Sequence, residues 1–149
     1  MATRNGSARW EGDVRSGKGR LTVGQDSWTG RYSWSRFAGV LDADDGPSPD
    51  TNPEELLAAS HAACFSMALS LTLGERGHAP ESIETQARGH LRVVNGIPTI
   101  QEIDLETQGK VAGLDQGGFA RCAELAKDGC IISRALAGVE TINLSARLA

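Results

Sequence analysis

The side chains in this chain best suited to redox or nucleophilic chemistry are three cysteines, Cys64, Cys122 and Cys130. Cys64 lies near the middle of "NPEELLAASHAACFSMALSLTLGERG", residues 52–77, with His61 three positions before it, so the two share one helical face about one turn apart. Cys130 follows Gly129 between two helical segments, where a backbone break joins a side chain to local freedom. Cys122 sits inside an amphipathic segment and reads as filler of core or surface. No CxxC occurs, so spacing by itself implies neither a dithiol motif nor a four-cysteine zinc site. A cysteine alone on an apolar helix is ordinarily a small packing residue, reactive only where a neighbouring charge holds its thiolate. His61 and Cys64 leave three readings open: a base beside a nucleophile, two ligands of a metal site that Cys130 completes, or a histidine that simply packs.

The elements that must position these residues are legible in the pattern. "RWEGDVRSGKGRLTV" predicts a hairpin with strands near 9–15 and 20–24 around a glycine-rich turn at Ser16 to Gly19, and "SWTGRYSWSRF" predicts a third strand. "GVLDADDGPSPDT" reads as an exposed loop. Helix onset follows, with Asn52 as cap, Pro53 in the first turn and Glu54 and Glu55 at the positive end of the dipole; Gly74 and Gly77 supply stops. Alternation predicts strands over Ile83–Val93 and over "TIQEIDLETQGKV", with Ile103, Leu105, Thr107 and Val111 on one face. Asp115 caps a helix to about Lys127, "IISRALAG" forms a short helical turn, and "ETINLSARL" a last strand. Strands with one wet face backed by helices imply an α+β layer architecture. The long helix is apolar on nearly every side, so it should be enclosed, either by this chain or by a second copy; dimerisation through it is the simpler solution.

Composition narrows the functional classes. A chain of 149 residues suits one domain, residues 1–149, able to bury roughly 70% of its unfolded surface. The net charge of −4 provides no field for nucleic acid or an anionic membrane, and neither is expected as a partner. "MATRNGSARWEGD" has no apolar run after its early charge, so a secretory leader is not expected and the predicted location is cytoplasmic. Thirteen of the eighteen residues from Leu56 to Leu73 are apolar, but Ser60, His61, Ser66, Ser70 and Thr72 interrupt the run, which argues against a membrane span. An odd cysteine count in such a chain suggests thiol chemistry rather than an extracellular disulfide scaffold.

"NPEELLAASHAACFSMALSL" closely resembles the cysteine-helix signature of the osmotically inducible protein C (OsmC) and organic hydroperoxide resistance (Ohr) family. "RWEGDVRSGKG" is similar to that family's opening hairpin, "SRFAG" to its next strand and "AKDGCIISRALAG" to its second cysteine segment. The resemblance runs from Trp10 to the last strand, and the histidine in "HAAC" places the chain nearer the OsmC branch. It implies an OsmC-like fold with two long central helices between β-sheets, an intertwined homodimer and a single peroxiredoxin domain. It also implies a thiol peroxidase in which Cys64 matches the peroxidatic cysteine and Cys130 the resolving one. Glu54 matches the family glutamate and Arg36, in "SRF", the arginine of the OsmC branch. Where the family commonly has proline after its second cysteine, this chain has Ile131, which frees φ and restores an amide donor.

The resemblance also implies an organic hydroperoxide as substrate and a dithiol, either a small one or a lipoyl-bearing protein, as reductant, with no bound cofactor and no metal. Phe37, Phe65 and Met67 are candidates for an apolar funnel, with plain core packing as the alternative for each. A continuous helix would hold Glu54 about 15 Å from Cys64, so the reading requires either a helix break near Ala58 to Ser60 or a glutamate from the other subunit. Two other classes remain: a non-catalytic stress-response or binding protein of the same fold, and a Cys/His metal or hydrolase site at His61, Cys64 and Cys130.

Overall fold

The alternating residues at the start of the chain close into an antiparallel sheet in the computed structural model, which describes residues 1–25, 27–34 and 49–149. Its strands are β1 (Gly6–Glu11), β2 (Lys18–Val23) and β3 (Trp28–Tyr32), in the order β1-β2-β3. The first strand ends earlier than its alternation predicts, because Asp13 Oδ1 accepts the amides of Arg15 at 2.9 Å and Ser16 at 3.1 Å and starts the turn there. Register places Trp10 opposite Gly19 and Gly19 opposite Tyr32. With no side chain at Gly19, the two rings meet with centroids 5.6 Å apart. The expected strand "SRFAG" and the acidic loop after it lie outside the described residues. The chain is next described at Pro49, and Thr51 bridges to Tyr32, its amide donating to Arg31 O at 2.9 Å. Asn52 then caps the long helix as expected, its Oδ1 accepting the Glu55 amide at 2.7 Å.

That helix, α1 (Pro53–Gly74), runs without a break, so the interruption considered near Ala58 to Ser60 does not occur. No glycine, proline or inserted polar group lies there to force one. By length and composition α1 is apolar enough to cross a membrane, a test that the core helix of a soluble protein also passes. The chain forms two compact units, Met1–Leu56 and Leu57–Ala149, with the division in the first turns of α1.

The second unit continues with β4 (Pro80–Val94), β5 (Ile97–Val111), α2 (Gln116–Gly129), α3 (Ile131–Ala135) and β6 (Thr141–Leu148). β4 and β5 form the expected antiparallel pair, joined through Asn95 and Gly96, whose φ values of 52° and 80° suit a two-residue hairpin turn. β6 pairs with β5 in parallel, because the chain crosses back through α2 and α3 before reaching the sheet edge. Asp115 caps α2 as its sequence predicts, accepting the Gly118 amide at 2.6 Å.

The core of this unit lies between the sheet and the helices. α1 contributes Phe65, Leu69 and Leu73, β5 contributes Leu105 and Val111, and α2 contributes Phe119, Ala123 and Ala126. Each large apolar side chain enclosed there is worth roughly 1.5–3 kcal/mol. A hydroxyl ladder crosses this layer: Ser66 Oγ donates to Thr85 Oγ1 at 2.8 Å, and Thr85 meets Thr107 at 3.0 Å. Directional bonds of this kind fix the height at which α1 sits on the sheet, which apolar contact alone would not. Of the two ways of enclosing α1, cover by this chain alone is not what the structure shows, because Met67 is 67% and Leu71 64% exposed within the chain. A helix apolar all round has two faces to cover, and this layer covers one.

Gly109 sits where the Phe119 ring lies against β5, and a Cβ there would run into that ring. Gly109→Ala should therefore cost about 1–3 kcal/mol through overpacking. The check is a fall in the urea midpoint at unchanged m value.

Candidate active site

Two elements of the second unit deliver the sulfurs. On α1, His61 begins the inward stripe that continues through Phe65, Leu69 and Leu73 and is fully buried, while Cys64 lies at the stripe's edge and is partly exposed. Cys130 is the single extended residue between α2 and α3, with φ −65° and ψ 122°, and only 1% of it is exposed. It ends one helix and opens the next as the N-cap residue of α3, without a side-chain cap bond of its own. This is the backbone break that Gly129 signalled in the sequence.

The three cysteines are free thiols, and two of them are neighbours: Cys64 packs against the buried cluster that contains Cys130, close enough to affect its ionisation. Burial works to raise the Cys130 pKa. The nearby polar groups of Ser133, Cys64 and Ile132 favour the anion, outweigh burial and hold the pKa below the ordinary thiol value. Behind Ser133 stands the imidazole of His61, its Nε2 2.8 Å from Ser133 Oγ with both residues buried. Burial lowers the His61 pKa, so the ring is neutral near pH 7. Its Nδ1 is enclosed and has no hydrogen-bond partner among the described residues.

The other predicted site residues fall elsewhere. Arg36 and Phe37 lie outside the described residues. Glu54 belongs to the first unit, where it lines an apolar groove of about 530 Å³ with Trp10, Val14, Tyr32, Trp34 and Pro53. Phe65 is enclosed in the core, and Met67 lies on the outer stripe of α1. Cys122 is core, as one of its two sequence readings had it. Among the described residues, no three His, Cys, Asp or Glu side chains lie close enough to hold a metal ion. Sequence reasoning missed Ser133. Its signal was present in "CIIS", where a hydroxyl follows a helix-opening cysteine by three residues, the spacing at which a cap and its first turn face each other.

Residues 44–145 match the family described as OsmC-like protein. The chain belongs to the OsmC family. Peroxiredoxin OsmC of Escherichia coli (strain K12) is 41% identical over 140 residues, covering 94% of each chain. At that identity and coverage the enzyme class carries over to this OsmC-family chain: it is a peroxidase. Among solved structures, the organic hydroperoxide resistance protein of Elizabethkingia anophelis superposes with a TM-score of 0.76 at 20% identity, covering all of this chain and 96% of that one. An OsmC protein of Legionella pneumophila superposes with a TM-score of 0.73 at 20% identity, covering 100% of this chain and 99% of that one. At these identities the two structures show the fold alone, the α+β OsmC fold with its two sheets.

A neutral buried histidine links folding to pH. Its folded-state pKa lies below the unfolded value of about 6.5, so in between the unfolded chain binds the extra proton and stability falls as pH falls below that value. The urea midpoint of the wild type should drop between about pH 7.5 and pH 5, and His61→Gln should flatten that limb. His90, paired with Asp104 at 2.7 Å, is present in both proteins and cancels in the comparison.

Proposed function

We propose that the chain reduces organic hydroperoxides, and hydrogen peroxide more weakly, to the alcohol or water through Cys64 and Cys130. The Cys64 thiolate attacks the terminal peroxide oxygen, the O–O bond breaks, and the departing alkoxide takes a proton to become the alcohol. Cys64 is left as a sulfenic acid, and Cys130 condenses with it to a disulfide. A dithiol then supplies two electrons by exchange, itself becoming a disulfide and returning both cysteines as thiols. No bound cofactor enters this cycle; the reductant is a small dithiol or a lipoyl-bearing protein. The observation that carries the reading is that Cys64 packs against the buried cluster holding Cys130, sixty-six residues apart in the chain. Packing alone does not require two thiols from separate elements to meet, whereas condensation does.

Arg36 is the proposed cation beside the Cys64 thiolate, permanently charged and able to direct a fork of donors at the peroxide oxygens. Glu54 is proposed to hold that guanidinium by a bidentate pair. Because α1 is unbroken, a glutamate about 15 Å along the same helix cannot serve the Cys64 of its own helix, and the partner subunit supplies it in this reading. The exposed Met67 and Leu71 support such a homodimer, since an apolar helix face of this kind calls for cover. Phe37 and Met67 remain the proposed apolar contacts of the alkyl group, whereas Phe65, fully enclosed in the core, takes the packing role that was its alternative. A cytoplasmic location and a role in protection against oxidative and osmotic stress belong to the same reading.

Protein mixed with dithiothreitol and cumene hydroperoxide should consume the peroxide catalytically. Cys64→Ser should fall to the background rate, and Cys130→Ser should stall after one turnover with a dimedone-reactive sulfenic acid on Cys64. Consumption no faster than the Cys64→Ser control would remove the peroxidase mechanism proposed for these residues.

A further inference from the structure

The mechanism above uses the two sulfurs and leaves unexplained a buried polar pair directly behind them. His61 Nε2 and Ser133 Oγ are 2.8 Å apart, and both residues are buried. Placing an imidazole and a hydroxyl there costs solvation that one neutral hydrogen bond returns only in part. The direction of the bond follows from the other ring nitrogen. Nδ1 has no partner among the described residues, and an orphaned N–H is rarer in protein interiors than an under-satisfied acceptor. The ring proton therefore belongs on Nε2, donating to Ser133 Oγ, and this leaves the hydroxyl proton of Ser133 free to point elsewhere. Ser133 lies three residues after Cys130, in the first turn of the helix that Cys130 opens, the spacing at which an N-cap residue and the first turn face each other.

We propose that His61 and Ser133 are positioning residues for the second sulfur: the imidazole donates to the hydroxyl, the hydroxyl donates to Cys130 Sγ, and the chain keeps Cys130 a thiolate facing Cys64. This rests on the disulfide cycle proposed above and adds a direction to it. In closure, the Cys130 thiolate attacks the Cys64 sulfenic sulfur, an S–S bond forms, the S–O bond breaks, and the hydroxide leaves as water with a solvent proton. In reduction, the reductant's sulfur joins Cys64, the S–S bond breaks, and Cys130 departs with the electron pair as a thiolate held by the Ser133 hydroxyl. Exposure favours the same direction, since Cys64 is partly exposed and Cys130 is 1% exposed. The second thiol of the reductant then attacks its own sulfur in the mixed disulfide, and Cys64 is released as the thiolate that the next peroxide requires.

The deciding experiment is single-turnover closure, timed from addition of one equivalent of cumene hydroperoxide by quenched alkylation and mass spectrometry. It is run on the wild type, Ser133→Ala, Ser133→Thr and His61→Gln. Thiolate absorbance at 240 nm is titrated in parallel in a Cys64→Ser background, which keeps a hydroxyl donor beside Cys130. Ser133→Ala should slow closure about tenfold and raise the Cys130 titration midpoint by about one unit, the same change read twice. Ser133→Thr should restore both, a rescue that a purely structural role for the hydroxyl would not give. His61→Gln should show a smaller loss in the same direction. If Cys64 sulfenic acid forms but Ser133→Ala closes and titrates like the wild type, the positioning role is overturned. If no sulfenic acid forms in the wild type, the peroxidase reading itself has failed, and the titration still decides whether the pair holds the Cys130 charge. A mixed disulfide trapped by a monothiol should be found on Cys64; finding it on Cys130 would overturn the direction.

Discussion

Everything proposed for this chain depends on one packing contact, Cys64 against the buried cluster that holds Cys130. Neither residue can arrange it alone. Cys64 is placed by α1, whose inward stripe of Phe65, Leu69 and Leu73 is locked into the core and whose height on the sheet is fixed by the Ser66, Thr85 and Thr107 hydroxyls. Cys130 is placed by the one-residue joint between α2 and α3, and α2 is held in turn by Phe119 seated over Gly109. A shift of about 1 Å in either packing surface would separate the sulfurs, and close-packed interiors resist such shifts. The contact is in this sense an output of the whole second unit.

The same core sets the charge. Burial alone would push a thiol toward its neutral form, and at Cys130 the neighbouring polar groups favour the anion more than burial opposes it, so the pKa lies below the ordinary thiol value. His61 shows the opposite balance, since burial lowers its pKa and the ring stays neutral. The cysteine-bearing helix thus contributes a neutral donor and a thiol to the site. The cation proposed for the peroxide step, Arg36, belongs to a different part of the chain.

Much of this was legible in the sequence, for identifiable reasons. The alternation of Ile103, Leu105, Thr107 and Val111 marked β5 and its inward face, and Asn52 and Asp115 marked helix starts where their side chains do accept backbone amides. Cys130 stood out because Gly129 signalled a break. The parallel pairing of β6 was not legible, since strand direction follows from how the chain crosses the sheet and leaves no local pattern. The turn at Asp13 began earlier than its glycines suggested, because a side-chain carboxylate rather than a glycine starts it. Ser133 was missed because a serine in a short apolar turn looks like helix filler until its partner seventy-two residues away is known.

The second unit therefore carries a dithiol site assembled by packing, and the central claim is that Cys64 and Cys130 are its working pair. The most direct measurement is peptide mapping of the protein after one equivalent of organic hydroperoxide, with free thiols alkylated before digestion. The account predicts a single cross-linked peptide joining Cys64 to Cys130, with Cys122 recovered alkylated. A disulfide involving Cys122, or Cys64 carried on to its sulfinic acid with Cys130 still a free thiol, would contradict it.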